Sequence, residues 1–135
     1  KCLAHADSVT CLGVSSSRDV LVSGSRDQSV RTWAFTNASL KNDETFDDIQ
    51  QPITCVDASR HLVLAGASDG QLMAWDTRSG SPVLDRELGG PAVACALHHE
   101  GLFSIALDAS GVFRLWDFRR QCESLRLPVV AAGAS

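Results

Sequence analysis

Three tryptophans, Trp33, Trp75 and Trp116, lie 42 and 41 residues apart, and the chain has no others. Each one closes a similar segment: SGSRDQSVRTW (23–33), AGASDGQLMAW (65–75) and ALDASGVFRLW (106–116). A period of about 40 residues is typical of repeat architectures, in which each unit buries its apolar face against the next. The 135-residue chain is therefore predicted to hold three consecutive units, at about 1–35, 36–78 and 79–128, and a flexible tail at 129–135.

Each unit is predicted to consist of short β-strands separated by turns. β-Branched and aromatic residues dominate the strands, and Gly, Asp and Ser fill the turns, as hairpins require. The expected strands are 9–14, 20–23 and 29–35 in the first unit, 53–57, 61–66 and 71–76 in the second, and 93–97, 102–107 and 112–118 in the third. Fourth strands are expected in the connectors, near 44–49 and at 122–128. No segment sustains a helical period, so the predicted fold class is all-β.

A second match upstream, of VTCL (9–12) with ITCV (53–56) and VACA (93–96), places Cys11, Cys55 and Cys95 at equivalent positions in the first strand of each unit. Buried cysteine packs as a small hydrophobe, which suits an inner strand. A metal site built from Cys95, His98 and His99 is the alternative, but no second ligand pair stands at the required spacing. The sequence therefore predicts neither a metal nor a cofactor.

Charge and cysteine usage narrow the class of protein further. A formal charge of −4 and a sequence pI near 5.4 disfavour a nucleic-acid module, whose affinity comes largely from a basic surface. Five widely spaced cysteines favour a reducing compartment over a disulfide framework. No run of about 18 apolar residues is present, so no membrane insertion is expected. We therefore expect a cytoplasmic protein, with the nucleus as the alternative.

The three units resemble the WD-repeat family, whose members form β-propellers of four-stranded blades. The resemblance covers residues 1–128 and rests on His5, the Ser-Gly-Ser at 23–25, Asp27 six residues before Trp33, and the Trp-Asp pairs at 75–76 and 116–117. It implies three antiparallel blades of a seven-bladed propeller. Because about four to eight blades close such a ring, the remaining blades are expected from the same, longer chain.

The resemblance also implies a buried hydrogen-bond network, which in the family joins a His, a Ser or Thr, an Asp and the Trp of one repeat. Ala65 replaces the serine in the second unit, and Ser110 replaces the aspartate in the third. Only the first unit is therefore expected to build the whole network, and Asp27→Ala should loosen it more than Asp69→Ala loosens the second. The residues assigned to the network are His5, Ser23, Asp27 and Trp33 in the first unit, Asp69 and Trp75 in the second, and Trp116 in the third.

His5, Asp27 and Ser23 also match the residue types of a catalytic triad. The repeat accounts for all three, however, and no Gly-x-Ser-x-Gly elbow accompanies them. The predicted function is therefore that of a non-catalytic scaffold which binds other proteins through its loops.

Candidate interaction residues are drawn from a turn and from two Trp-Asp-x-Arg sequences. Arginine is favoured at interaction hot spots, and Trp-Asp-x-Arg resembles a box found in substrate receptors of cullin ubiquitin ligases, which is one alternative function. A looser likeness of the first unit to the C-terminal propellers of BEACH-type membrane-trafficking scaffolds is the other. The predicted interaction surface consists of Arg26, Gln28, Asp76, Arg78, Asp117 and Arg119.

Overall fold

The computed structural model describes residues 5–15, 20–36, 39–59, 61–98, 103–118 and 122–128. Within these ranges every regular element is a β-strand, which confirms the all-β prediction. The strands are β1 (Val9–Ser15), β2 (Val20–Ser25), β3 (Val30–Thr36), β4 (Ser39–Phe46), β5 (Ile53–Ser59), β6 (Leu62–Ala67), β7 (Gln71–Asp76), β8 (Pro82–Glu87), β9 (Ala92–Leu97), β10 (Phe103–Asp108), β11 (Val112–Asp117) and β12 (Cys122–Pro128). None of the described residues forms a helix of the length and apolarity needed to cross a membrane.

The twelve strands form three separate four-stranded sheets, β1–β4, β5–β8 and β9–β12. Each strand pairs antiparallel with the next one along the chain, so every sheet is a simple meander. The first strands of the sheets lie side by side, since β5 contacts both β1 and β9. This is the arrangement of consecutive blades in a WD-type propeller.

The fourth strand of the first sheet differs from the expected strand at 44–49. It is β4, which pairs with β3 from Thr36 opposite Ser39 to Val30 opposite Phe46. Half of the segment between β3 and β5 is therefore strand, because β4 returns directly along β3. β4 ends at Phe46, near the middle of the strand that we expected. The strand expected at 122–128 is present as β12.

The first strand of the third sheet is shifted by one residue from the predicted match of 93–96 with 9–12 and 53–56. The cysteine pairings across each first hairpin are Cys11 with Gly24, Cys55 with Gly66, and Cys95 with Ala106. In β9 the residue equivalent to Cys11 and Cys55 is Ala94, which pairs with Leu107. Cys95 takes the position of Val56 instead, so the expected equivalence of the three cysteines is wrong for Cys95. Loops of unequal length separate the first two strands of each sheet, so the similarity of these short segments does not fix how they pair.

Two apolar clusters occupy the spaces between neighbouring sheets. The first joins the first and second sheets around Trp75, and the second joins the second and third sheets around Trp116. Trp75 and Trp116 are 0% and 2% exposed. Burial of one sheet against the next is thus the main source of stability in this fold.

Candidate functional site

A buried chain of hydrogen bonds links four side chains of the first unit. The Nε1–H of Trp33 donates to Ser23 Oγ at 2.9 Å, and Ser23 Oγ lies 2.7 Å from His5 Nε2. Because an aspartate carboxylate only accepts, the imidazole proton stands on Nδ1, which donates to Asp27 Oδ2 at 3.0 Å. Nε2 is then an acceptor, and the Ser23 hydroxyl donates to it. The structure therefore brings His5, Ser23, Asp27 and Trp33 together, with the His5 side chain fully buried.

Asp27 is the centre of the tight turn between β2 and β3. Its carboxylate accepts from the N–H of Ala6 at 2.9 Å, and from both the N–H and the hydroxyl of Ser29, at 2.9 and 2.5 Å. Burial alone would raise the pKa of Asp27, but these hydrogen bonds outweigh it and lower the pKa to about 2. Ser29 is a member of the network that the sequence analysis missed.

In the second unit, the indole N–H of the tryptophan has a different acceptor. The Nε1–H of Trp75 donates to Asp48 Oδ2 at 2.8 Å, and Phe46 stacks on the indole with ring centroids 4.9 Å apart. Asp69 accepts only from the N–H of Gln71, at 3.0 Å, on the surface. Asp69 and Trp75 therefore do not share a network, contrary to our expectation, because the acceptor comes from the connector before β5.

The third unit has an aspartate network after all, centred on Asp108 and not on Ser110. Asp108 is 1% exposed and accepts from the N–H groups of Gly89, Ser110 and Val112, at 3.1, 2.9 and 3.3 Å, and from the Ser110 hydroxyl. Burial raises the pKa of this carboxyl, but the hydrogen bonds are stronger and lower it below its usual value. The guanidinium of Arg114 lies 4.0 Å away.

The loop before the first strand of each sheet places one residue against the core. The residue type at this loop position changes together with the residue type at a second buried position, in the second strand of the same sheet. Equivalent positions are defined by a shared backbone hydrogen bond, from Arg26 to Ser8, from Ser68 to Pro52 and from Ala109 to Pro91. On this basis His5 corresponds to Ile49 and Leu88, and Ser23 corresponds to Ala65 and Ala106. A polar pair in the first unit is thus replaced by aliphatic residues with alanine in the others, all of them buried.

The candidate interaction residues lie at opposite ends of the strands. Arg26 and Gln28 are exposed in the turn after β2. Gln28 has a positive φ of 72°, where the other two units have Gly70 and Gly111. A left-handed backbone is unfavourable for glutamine by about 1–2 kcal/mol, so the first turn is held by its hydrogen bonds.

Arg78 is exposed but engaged by its own strand end. Its guanidinium donates to both carboxylate oxygens of Asp76, at 3.2 and 3.0 Å. The hydrogen bonds and the positive charge lower the pKa of Asp76. In the second Trp-Asp-x-Arg sequence, Asp117 ends β11 and is half-buried, whereas Arg119 lies outside the described residues.

Metal-ligating side chains do not converge in the described part of the chain, where no three His, Cys, Asp or Glu residues form a group suited to an ion. Of the metal site weighed above, His98 packs against Phe103, with ring centroids 4.7 Å apart, and His99 lies outside the described residues.

Comparison with known proteins agrees with this architecture. The family model described as "WD domain, G-beta repeat" matches residues 1–34, which hold the whole of the His5 network. The chain is also 24% identical over 140 residues to Striatin from Mus musculus, a match that covers 92% of this chain and 18% of Striatin. Residues 1–34 therefore match a WD repeat, and the chain spans less than a fifth of the length of that relative.

Proposed function

We propose that this chain is a section of a longer WD-repeat β-propeller that acts as a non-catalytic platform for binding other proteins. Its WD repeats and its similarity to Striatin support a protein-interaction role. The proposal adds that further blades complete a ring, that the rim loops form the binding surface, and that no reaction is catalysed. It also places the protein in the cytoplasm, with the nucleus as the alternative.

The observation that carries the proposal is the unequal burial of equivalent residues on the first strands of two sheets. In β5, Ile53, Val56 and Ala58 are 0%, 7% and 8% exposed because they pack toward the first sheet. Their equivalents in β1, Val9, Leu12 and Val14, are 45%, 63% and 68% exposed. A further sheet that covers β1 in the way that the first sheet covers β5 would bury this apolar face.

A repeated hydrogen bond supports the same conclusion. Thr10 Oγ1 donates to the carbonyl of Ile53 at 2.5 Å, and Thr54 Oγ1 donates to the carbonyl of Ala92 at 2.7 Å. The carbonyl of Val9 is the equivalent acceptor in the first sheet. A preceding blade with a Ser or Thr at this position would continue the series.

The state of Ser23 supports a non-catalytic role. A nucleophilic serine must reach its substrate, but Ser23 is 2% exposed and its hydroxyl is held between Trp33 and His5. The residues that resemble a triad are therefore engaged in fixing the turn. Labelling of Ser23 by a fluorophosphonate probe would contradict this part of the proposal.

Affinity purification of the tagged full-length protein with mass spectrometry tests the interaction role. Arg26→Glu reverses an exposed charge on the rim, and Arg86→Glu makes the same change on the exposed face of β8. We expect Arg26→Glu to deplete a subset of the partners several-fold and Arg86→Glu to leave them unchanged. Recovery of no protein above the untagged control, or equal losses in both variants, would refute the rim as the binding surface.

The two alternatives have no comparable support. The Arg78 guanidinium is paired with Asp76, and the comparisons point to neither a ubiquitin-ligase receptor nor a BEACH-type scaffold. We therefore propose the general scaffold alone.

A further inference from the structure

Two thiols from neighbouring sheets meet between the second and third sheets. Cys55 lies in β5 and belongs to the apolar cluster around Trp116, and Cys95 lies in β9 and packs against that cluster. Cross-sheet hydrogen bonds fix the two strands on either side of the thiols. These are Thr54 Oγ1 to the carbonyl of Ala92, at 2.7 Å, and the N–H of Leu97 to Asp57 Oδ2, also at 2.7 Å.

The register decides which side chain faces Cys55. At the preceding interface, Cys11 Sγ and Val56 Cγ1 lie 2.7 and 3.0 Å from the point where a Cβ on Gly24 would stand. These two side chains therefore share one small space across the sheets. Cys55 is the equivalent of Cys11, and the one-residue shift of β9 makes Cys95 the equivalent of Val56. The shift thus places a second thiol where the preceding interface has a valine.

The two thiols interact directly. A hydrogen bond with the Cys95 thiol lowers the pKa of Cys55, more than burial raises it. The same hydrogen bond and burial raise the pKa of Cys95 well above its usual value. A lowered pKa favours the thiolate of Cys55, which makes Cys55 the attacking thiol and Cys95 the resolving thiol. Because Cys55 is only 7% exposed, the oxidant that reaches it must be as small as a peroxide.

We propose that Cys55 and Cys95 are a redox pair that closes to a disulfide across the two sheets when the protein meets a peroxide. The Cys55 thiol gives up its proton, and the resulting thiolate attacks one oxygen of hydrogen peroxide. The O–O bond breaks, the leaving hydroxide takes up the released proton, and the products are a Cys55 sulfenic acid and water. The Cys95 sulfur then attacks the Cys55 sulfur, forming the S–S bond, and the sulfenic oxygen leaves as a second water with the Cys95 proton. Two thiols are oxidised by two electrons in total, and one peroxide is reduced to two waters. Small-molecule thiols reverse the step by becoming a disulfide themselves.

Peptide mapping of the purified full chain tests the pair without relying on a variant. After treatment with hydrogen peroxide, free thiols are alkylated under denaturing conditions and the protein is cut with trypsin in the absence of reductant. Trypsin places Cys55 in the peptide 42–60 and Cys95 in 87–114. We expect these two peptides to be recovered as one linked species that reductant separates.

Two variants sharpen the test. Cys95→Val reproduces the valine of the preceding interface and should abolish the linked species, whereas Cys11→Ser should retain it. Oxidation should also raise the Tm of the wild type and leave that of Cys95→Val unchanged. The proposal is overturned if Cys55 and Cys95 are both recovered alkylated after oxidation, or if either is linked mainly to another cysteine.

Discussion

The Nε1–H of Trp75 donates to Asp48 at 2.8 Å, although Asp48 precedes the sheet that contains Trp75. In the first unit the same indole nitrogen is satisfied by Ser23, within the sheet. A buried indole N–H needs an acceptor, and the two units provide one from different parts of the chain. The acceptor is therefore a local property of each blade and is not dictated by the repeat.

Removing the acceptor of Trp75 should destabilise the protein. We expect Asp48→Ala to lower the free energy of unfolding by about 1–2 kcal/mol, because the indole N–H of a fully buried ring loses its partner. Asp47→Ala is the matched control, an exposed neighbouring aspartate whose loss should change stability by less than about 0.5 kcal/mol. Urea denaturation measures both, and equal effects would contradict a role for the Asp48 hydrogen bond.

The pair of His5 and Ser23 should behave as a unit. His5→Leu and Ser23→Ala each leave a buried polar partner unsatisfied and should each cost about 1–3 kcal/mol. The double variant reproduces the aliphatic-plus-alanine arrangement of Leu88 and Ala106. We expect it to be more stable than the sum of the single losses predicts, by about 1 kcal/mol or more. A double-mutant cycle measures this coupling, and strict additivity would show that the pair is not energetically linked.

The turn carboxylates should rank by the number of hydrogen bonds that they accept. Asp27→Ala and Asp108→Ala should each cost about 2–4 kcal/mol, since each removes several bonds to backbone N–H groups. Asp69→Ala should cost less than about 1 kcal/mol, because Asp69 is exposed and accepts one bond. Thermal unfolding of the three variants checks the order, which fails if Asp69→Ala is as damaging as the other two.

Stability should fall in acid through Asp27. The pKa of this carboxyl is about 2 in the folded protein, below its ordinary value of 3.8. The ionised carboxylate therefore contributes fully above about pH 4, and the contribution is lost as the pH falls toward 2. We expect the difference in unfolding free energy between wild type and Asp27→Asn to narrow across that window. A difference that stays constant from pH 5 to pH 2 would contradict the assignment.

Replacing Gln28, the turn residue of the first unit with a left-handed backbone, should increase the stability of the protein. Gln28→Gly removes the strain of a positive φ and should stabilise the protein by about 0.5–1 kcal/mol after the added flexibility of glycine is subtracted. Gly80→Ala is the reciprocal control, since Gly80 has a φ of 73° and a Cβ there would meet only Glu44 Oε2, at an ordinary contact distance of 4.0 Å. It should destabilise the protein by a similar amount. Loss of stability in Gln28→Gly, measured by urea denaturation, would show that the glutamine side chain contributes more than the strain costs.

Periodicity was enough to predict the repeat, the all-β class and most of the strands. The tryptophans recur with their turns, and β-branched residues recur between them. The order of strands and turns can therefore be predicted without knowing how the strands pair. The acceptor at Asp48 could not be predicted, because no fixed spacing joins it to Trp75 across the connector. Asp108 was missed for a related reason: its carboxylate reaches forward to the N–H of Ser110, where the ungapped alignment placed the turn aspartate at Ser110 itself.

The chain's local chemistry, then, already specified three strand-rich units of about 40 residues and the polar turn of the first. Only the packing of one sheet on the next decided which thiols meet, which acceptor each tryptophan uses, and which apolar face remains exposed. Hydrogen bonds within a hairpin depend on neighbours along the sequence, and the pattern of residues reveals them. Contacts between sheets depend on the register in which the strands pair. The shift of one residue in β9 puts Cys95, and not an alanine, at the interface with the second sheet.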